Sequence, residues 1–155
     1  MEYKTNVMRI LDKAKADYIS HSYADTAAVS GLEVAEALRQ DPKRVFKTLV
    51  TVGKTKKNYV FVIPVAEELE LKKAAQSVNE KAIEMIKAKD LLPLTGYVHG
   101  GCSPIGMKKP LATTIDASAA AFDKIIFSAG KIGYQVEMSL DDLRKVIDFR
   151  LAELV

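Results

Sequence analysis

The sequence predicts a mixed α/β or α+β fold. It is read as one domain over residues 1–155, built on a curved, mixed, mostly antiparallel and barrel-like β-sheet with helices around it. Three observations carry this. Residues 44–53 and 58–65 are apolar runs joined by the short polar stretch GKTKKN, which is the pattern of a β-hairpin. Three more strand-like runs, LATTID, KIIFSA and YQVEM, follow in the C-terminal half. Helical patterns interleave with these runs, but not in strict β-α-β alternation. A length of 155 residues, 48% hydrophobic and 28% charged, suits one ordinary folded core.

The elements follow in order. Residues 5–17 place Val7, Met8, Ile10, Leu11 and Ala14 at helical spacing, with Thr5 as N-cap. Residues 18–24 alternate as a short strand. Ser30 and Glu33 have capping-box spacing, with Val29 as a staple before them, so a second helix opens there and ends before Asp41-Pro42. After the hairpin, residues 67–77 read as helix. Residues 79–92 are ambiguous: 82–86 fits strand or helix, and 87–92 a short helix. Glycines and Pro104 then break regular structure from 96 to 106. Ser139 caps a last helix over 140–149.

Composition narrows the function classes. No apolar run reaches the roughly 18 residues of a membrane span. The stretch MEYKTNVMRI has no apolar core or small-residue cleavage site, so no secretory signal is expected. Cys102 is the single cysteine and forms no internal disulfide, which points to the cytoplasm. The net charge of +3 is compatible with an anionic partner and equally with ordinary surface lysines.

Several chemistries lack their residues. GGCSPIGMKK has the glycine separation of a phosphate loop, but Met107 stands where lysine is needed and Pro104 removes a backbone donor. His99 and Cys102, three residues apart, do not make a metal site alone, so no metal or cofactor is expected. Cys102 with His99 or His21 as base is the one nucleophilic arrangement to weigh.

Two features remain. Lys47 lies within Arg44–Val52, RVFKTLVTV, on one strand face with Val45, Leu49 and Thr51; Phe46, Thr48, Val50 and Val52 share the other. An unpaired ammonium in such surroundings must snorkel, pair or face a polar cavity. It is either an edge-strand lysine reaching solvent or a cleft lysine awaiting an anionic or carbonyl group. The second feature is Gly96 to Gly106, with five turn-formers in eleven residues. That is more than a hairpin needs, and its N–H groups suit an oxyanion or carbonyl.

These residues resemble the YbaK-like family of free-standing Cys-tRNA(Pro) deacylases, related to the editing domain of bacterial prolyl-tRNA synthetases. His21-Ser22-Tyr23 resembles the family's H-x-Y, Val45–Leu49 its F-K-T-L strand, and Leu71–Ala75 its L-D-L-K-K-x-A helix. Thr95-Gly96-Tyr97 with Gly100–Gly106 resembles T-G-Y-x-x-G-G-x-S-P-x-G, and Ser128–Gly133 the S-G-G-K-R-G turn. The resemblance spans nearly the whole chain. It implies trans-editing hydrolysis of Cys-tRNA(Pro), with Cys-tRNA(Cys) as a further substrate, and no protein nucleophile: the substrate thiol attacks the ester.

On this resemblance Lys47 and Gly101 are the catalytic residues. Tyr23, Phe46, Thr48, Gly100, Cys102, Ser103, Pro104, Gly106, Ser128 and Gly130 bind the aminoacyl group. Lys108, Lys109 and Lys131 meet the tRNA acceptor end, and prolyl-tRNA synthetase is the expected protein partner. Cys102 stands where relatives often carry an aliphatic residue, which suggests packing. Ala129 and Ile132 replace a glycine and an arginine of the turn, and His99 an apolar residue. Two other readings stay open: a deacylase for Ala-tRNA(Pro) or another small aminoacyl-tRNA using activated water, and a non-catalytic module binding tRNA or the synthetase.

Overall fold

Thr5 starts the first helix as its spacing predicts. Its hydroxyl accepts the Met8 N–H at 3.2 Å, and α1 (Asn6–Lys13) buries Val7, Met8 and Leu11. The computed structural model describes residues 3–155; residues 1 and 2 of the predicted domain lie outside it. β1 (Ile19–Ser22) follows, then α2 (Gly31–Ala37) with the predicted capping box between Ser30 and Glu33. Val29 does not act as a staple. It is 80% exposed and so packs against nothing that could fix the helix entry.

The hairpin forms in the expected register. β2 (Phe46–Gly53) pairs antiparallel with β3 (Asn58–Pro64), with Lys47 opposite Ile63 and Thr48 opposite Val62. The predicted helix over 67–77 is shorter, α3 (Leu71–Ser77), because Glu70 takes the cap position and accepts the Lys72 N–H. The ambiguous stretch resolves into both candidates. β4 (Ile83–Met85) pairs with the end of β2, and α4 (Ala88–Thr95) runs past Pro93 to Gly96, which closes it in the left-handed conformation at φ 83°.

β5 (Ala112–Asp116) leads through a 3-10 turn (Ala117–Ala121) to β6 (Ile125–Ser128) and β7 (Tyr134–Met138). The last helix, α5 (Leu140–Leu143), is shorter than the predicted 140–149, and β8 (Arg150–Ala152) was not anticipated. Burial of Phe149 and Leu154 draws this segment onto β5, and three residues are too few to show a strand period.

The expected single curved sheet is two sheets. One has the order β1-β7-β6 and is antiparallel. The other has the order β4-β2-β3-β5-β8, antiparallel at β4-β2-β3 and parallel at β3-β5-β8. A parallel bridge between Val45 and Ile126 joins them, and no closed barrel forms.

Alternation along β2 and β3 then separates two cores. Phe46, Val50, Val60 and Val62 point into the main cluster with Met8, Leu11, Phe127, Val136 and Met138. Tyr59, Phe61 and Ile63 point the other way, onto Ala74 and Ala75 of α3 and onto Leu154. Each large side chain fully buried this way contributes about 1.5–3 kcal/mol, so β2 and β3 are clamped from both faces.

Candidate active site

β2 is a covered strand at its ends and an open one in its middle. β6 reaches it at Val45, and β4 reaches it from Thr51 onward. Between them a cleft of about 540 Å³ opens along the strand edge. Because the opening wraps an edge, both faces of the strand contribute. Val45, Lys47 and Leu49 line it from one side, and Phe46, Thr48 and Val50 from the other. Residues 85–88 and Leu91 form one wall; Tyr23 and the start of α2 form another; His99, Gly100, Cys102, Ser128 and Gln135 close the remainder.

The polar groups of this cleft differ in how well they are satisfied. Lys47 is half-buried, and among the described residues its ammonium makes no hydrogen bond or ion pair. Thr48 Oγ1 is buried without a hydrogen-bond partner. Ser128 Oγ, in contrast, accepts the Gly130 N–H at 3.1 Å, and Gln135 Oε1 accepts from Gln40 Nε2 at 2.9 Å. Tyr23 is buried on the cleft wall. His21, two residues earlier, is bound to Glu137 at 2.8 Å, and Arg44 holds the other Glu137 oxygen at 2.7 Å. That histidine fixes β1 against β7 and stays out of the cleft.

The glycine loop divides into two halves. Gly100, at φ +87°, and Cys102 line the cleft. Gly101, Ser103, Pro104 and Gly106 of the loop, and Gly130 of the turn after β6, are not among the residues lining the cleft. The Gly101 N–H donates to Val98 O at 3.0 Å, so the expected oxyanion donor is already engaged. Ser103 is fully buried and accepts the Ile105 N–H at 3.3 Å. Tyr97 donates its hydroxyl to Ile105 O. Gly106 and Gly130 make room for that tyrosine: a Cβ on Gly130 would stand 3.0 Å from Tyr97 Cε1 and 2.8 Å from Val7 Cγ2. These glycines serve packing between the loop, α1 and the turn after β6.

Cys102 is buried, and burial pushes its thiol up to about 12. A thiol that holds its proton at neutral pH is a poor nucleophile. Together with its aliphatic neighbours in the main core, this makes Cys102 a packing residue on the cleft wall.

The three predicted tRNA lysines lie outside the cleft and are exposed. Lys108 donates to Pro93 O at 3.3 Å. Lys131 donates to Tyr3 Oη at 2.8 Å and lies 4.7 Å from that ring's centre. Its turn packs on the glycine loop, with Ile132 N 3.3 Å from where a Gly101 Cβ would stand. Sequence reasoning did not single out Gln135, Gln40 or the 85–88 wall. Glutamine has no chemistry-bearing motif, and only the pairing of β7 across the molecule brings Gln135 to the cleft.

The site is thus a cleft across an open strand edge of a mixed α+β fold, with a lysine inside it that has no partner among the described residues. The family model described as the aminoacyl-tRNA editing domain matches residues 25–146, and the chain belongs to that family. It is 42% identical over 154 residues, 99% of this chain and 94% of the other, to a protein of Enterococcus faecalis named as the Cys-tRNA(Pro)/Cys-tRNA(Cys) deacylase EbsC. A solved structure described as a trans-editing enzyme for prolyl tRNA synthetase matches with TM-score 0.80 at 21% identity, covering 98% of each chain. The structure of hypothetical protein APE2540 matches with TM-score 0.85 at 18% identity, covering 97% of this chain and 99% of the other. At these identities the two structures share the fold. Among the described residues, no helix is long and apolar enough to cross a membrane.

Proposed function

We propose that this protein hydrolyses the ester of mischarged Cys-tRNA(Pro), and of Cys-tRNA(Cys), in trans. The observation that carries the reading is the Lys47 ammonium, half-buried in the cleft of an editing-domain fold and, among the described residues, unpaired. The relative named as a Cys-tRNA(Pro)/Cys-tRNA(Cys) deacylase supports the choice of amino acid.

The chemistry needs little from the protein. An aminoacyl ester is already activated, and the cysteinyl thiol is part of the substrate. After losing its proton to solvent, the sulfur attacks the ester carbonyl carbon and the π pair moves to oxygen. Collapse breaks the bond to the ribose oxygen, which takes up a proton. The products are free tRNA and a four-membered thiolactone, which water opens to cysteine. Holding sulfur against carbonyl supplies the effective-concentration gain. Lys47 holds the terminal ribose and phosphate side of the ester and offsets the developing charge. Tyr23, Phe46, Gly100 and Cys102 shape the pocket for a small side chain.

Lys108, Lys109 and Lys131 contact the acceptor end, and so few phosphate contacts give weak, salt-sensitive binding. Prolyl-tRNA synthetase supplies the remaining tRNA selectivity in a cytoplasmic setting. The test is deacylation of Cys-tRNA(Pro) beside Ala-tRNA(Pro) and Cys-tRNA(Cys). Release of cysteine with alanine spared is the expected result. Release of alanine instead would replace the substrate thiol by an activated water, and no release from any of them would favour a binding module.

A further inference from the structure

The open stretch of β2 turns the main chain of one residue to an edge that no ladder covers. Val65 N donates to Val45 O at 2.8 Å and Gly53 N to Lys57 O at 2.8 Å, so odd-numbered residues of this strand turn their N–H and C=O toward β3. Even-numbered residues turn theirs to the opposite edge. There, β6 covers one end: Ile126 N donates to Arg44 O at 2.9 Å beside the Val45–Ile126 bridge. At the other end Ile86 N donates to Val50 O at 3.3 Å, and the β4 ladder begins with Thr51 opposite Met85. Thr48 lies between the two covers. It belongs neither to the β4 ladder nor to the Val45–Ile126 bridge, the register turns its N–H and C=O to this edge, and its Oγ1 is buried and, among the described residues, unpaired. All three groups belong to a residue that lines the cleft.

Main-chain groups turned to an uncovered strand edge beside a cleft are a standing invitation to a ligand. Here the donor and acceptor sit on a single residue. An α-aminoacyl ester offers the complement: an ammonium and a carbonyl oxygen on either side of one Cα, the spacing of a residue in a strand.

We propose that the aminoacyl group docks as a one-residue β-bridge on Thr48, its ester carbonyl accepting the Thr48 N–H and its α-ammonium donating to the Thr48 C=O. The Thr48 N–H is then the donor that meets the oxyanion, the role expected of Gly101, whose N–H is bound to Val98 O. Residues opposite one another in an antiparallel pair place their side chains on the same face. The substrate side chain therefore lies beside the orphaned Thr48 hydroxyl, which can bond a thiol and has nothing to bond in a methyl group. The main-chain bridge selects an α-amino acid, and the side-chain face selects which one. This inference rests on the deacylase reading.

Two variants separate the main chain from the side chain. Thr48→Pro deletes the N–H at an open edge, where proline is tolerated and no bond to β3 is lost. Thr48→Val keeps the N–H and deletes the hydroxyl. In single-turnover deacylation of Cys-tRNA(Pro), with folding checked by thermal melting, Thr48→Pro is expected to slow the step by about 100-fold or more. Thr48→Val is expected to slow it by less than about tenfold. A folded Thr48→Pro protein within about threefold of wild type would overturn the bridge.

A second measurement needs neither turnover nor a variant. The wild-type protein is titrated with 3′-cysteinylamino-3′-deoxyadenosine, a stable amide analogue of the charged terminus, and the Thr48 amide is followed by NMR. A downfield proton shift with slowed hydrogen exchange is expected, and an unmoved Thr48 amide at saturation would sink the proposal. A moved amide in a protein that releases no amino acid would uphold the bridge and overturn the deacylase reading. The reverse pair of results would do the opposite.

Discussion

The middle of β2 and the glycine loop look like equal partners in the sequence, yet the fold treats them in opposite ways. In the loop, polar groups find partners within the chain: Gly101 N–H on Val98 O, the Ser103 hydroxyl on the Ile105 N–H, the Tyr97 hydroxyl on Ile105 O. In the strand, the Lys47 ammonium and the Thr48 hydroxyl have no partner among the described residues, beside an edge that the β4 ladder and the Val45–Ile126 bridge leave uncovered. A group that is satisfied internally has little left to give a ligand, so binding capacity sits where pairing stops. The loop's contribution is indirect: it holds Gly100 and Cys102 against the strand.

Loss of the strand's charge is the strongest way to probe that contrast. Lys47→Ala should lower single-turnover deacylation by about 100- to 1,000-fold, with the melting temperature nearly unchanged because the ammonium has no partner among the described residues. A loss of tRNA affinity with the chemical step intact would move Lys47 from the reaction to the binding of RNA.

The loop should show the opposite signature, in stability. Gly130→Ala adds a Cβ at φ +88° against Val7 and Tyr97. It should cost about 2 kcal/mol in urea unfolding, while activity per folded molecule stays within about threefold. A large fall in rate at unchanged stability would restore Gly130 to the substrate side.

Acid should weaken the fold away from the cleft. Burial raises the Glu137 carboxyl, but the hydrogen bonds from His21 and Arg44 outweigh it and hold it below its ordinary value. A depressed native pKa adds stability that is present above the unfolded value and lost as pH falls through the native one. Urea midpoints from about pH 7 to about pH 3 should therefore drop in wild type, and less steeply in Glu137→Gln. Equal slopes would remove Glu137 from the acid response.

The smallest effect is expected at Cys102. Its thiol is pushed up to about 12 by burial, so Cys102→Ala should keep the rate within about threefold and leave the pH–rate profile unaltered near neutrality. A loss approaching that of Lys47→Ala would make the thiol a nucleophile after all.

Much of this was legible beforehand for local reasons. The caps at Thr5, Ser30 and Ser139, the hairpin register and the odd placement of Lys47 all follow from neighbours in sequence, through hydrogen bonds and side-chain alternation over a few residues. The strand at 150–152 and the early end of α5 were not legible, because they depend on pairing with β5 more than thirty residues away. The motif around Gly100–Gly106 marked a special loop, and its residues could not say which groups would be spent on one another.

The sequence alone thus determined the family and the strand bearing Lys47. Only the tertiary structure decided which of the marked residues line the cleft. That outcome depends on where β4 and β6 cease to cover β2, and strand coverage is a property of non-local pairing that no local pattern encodes.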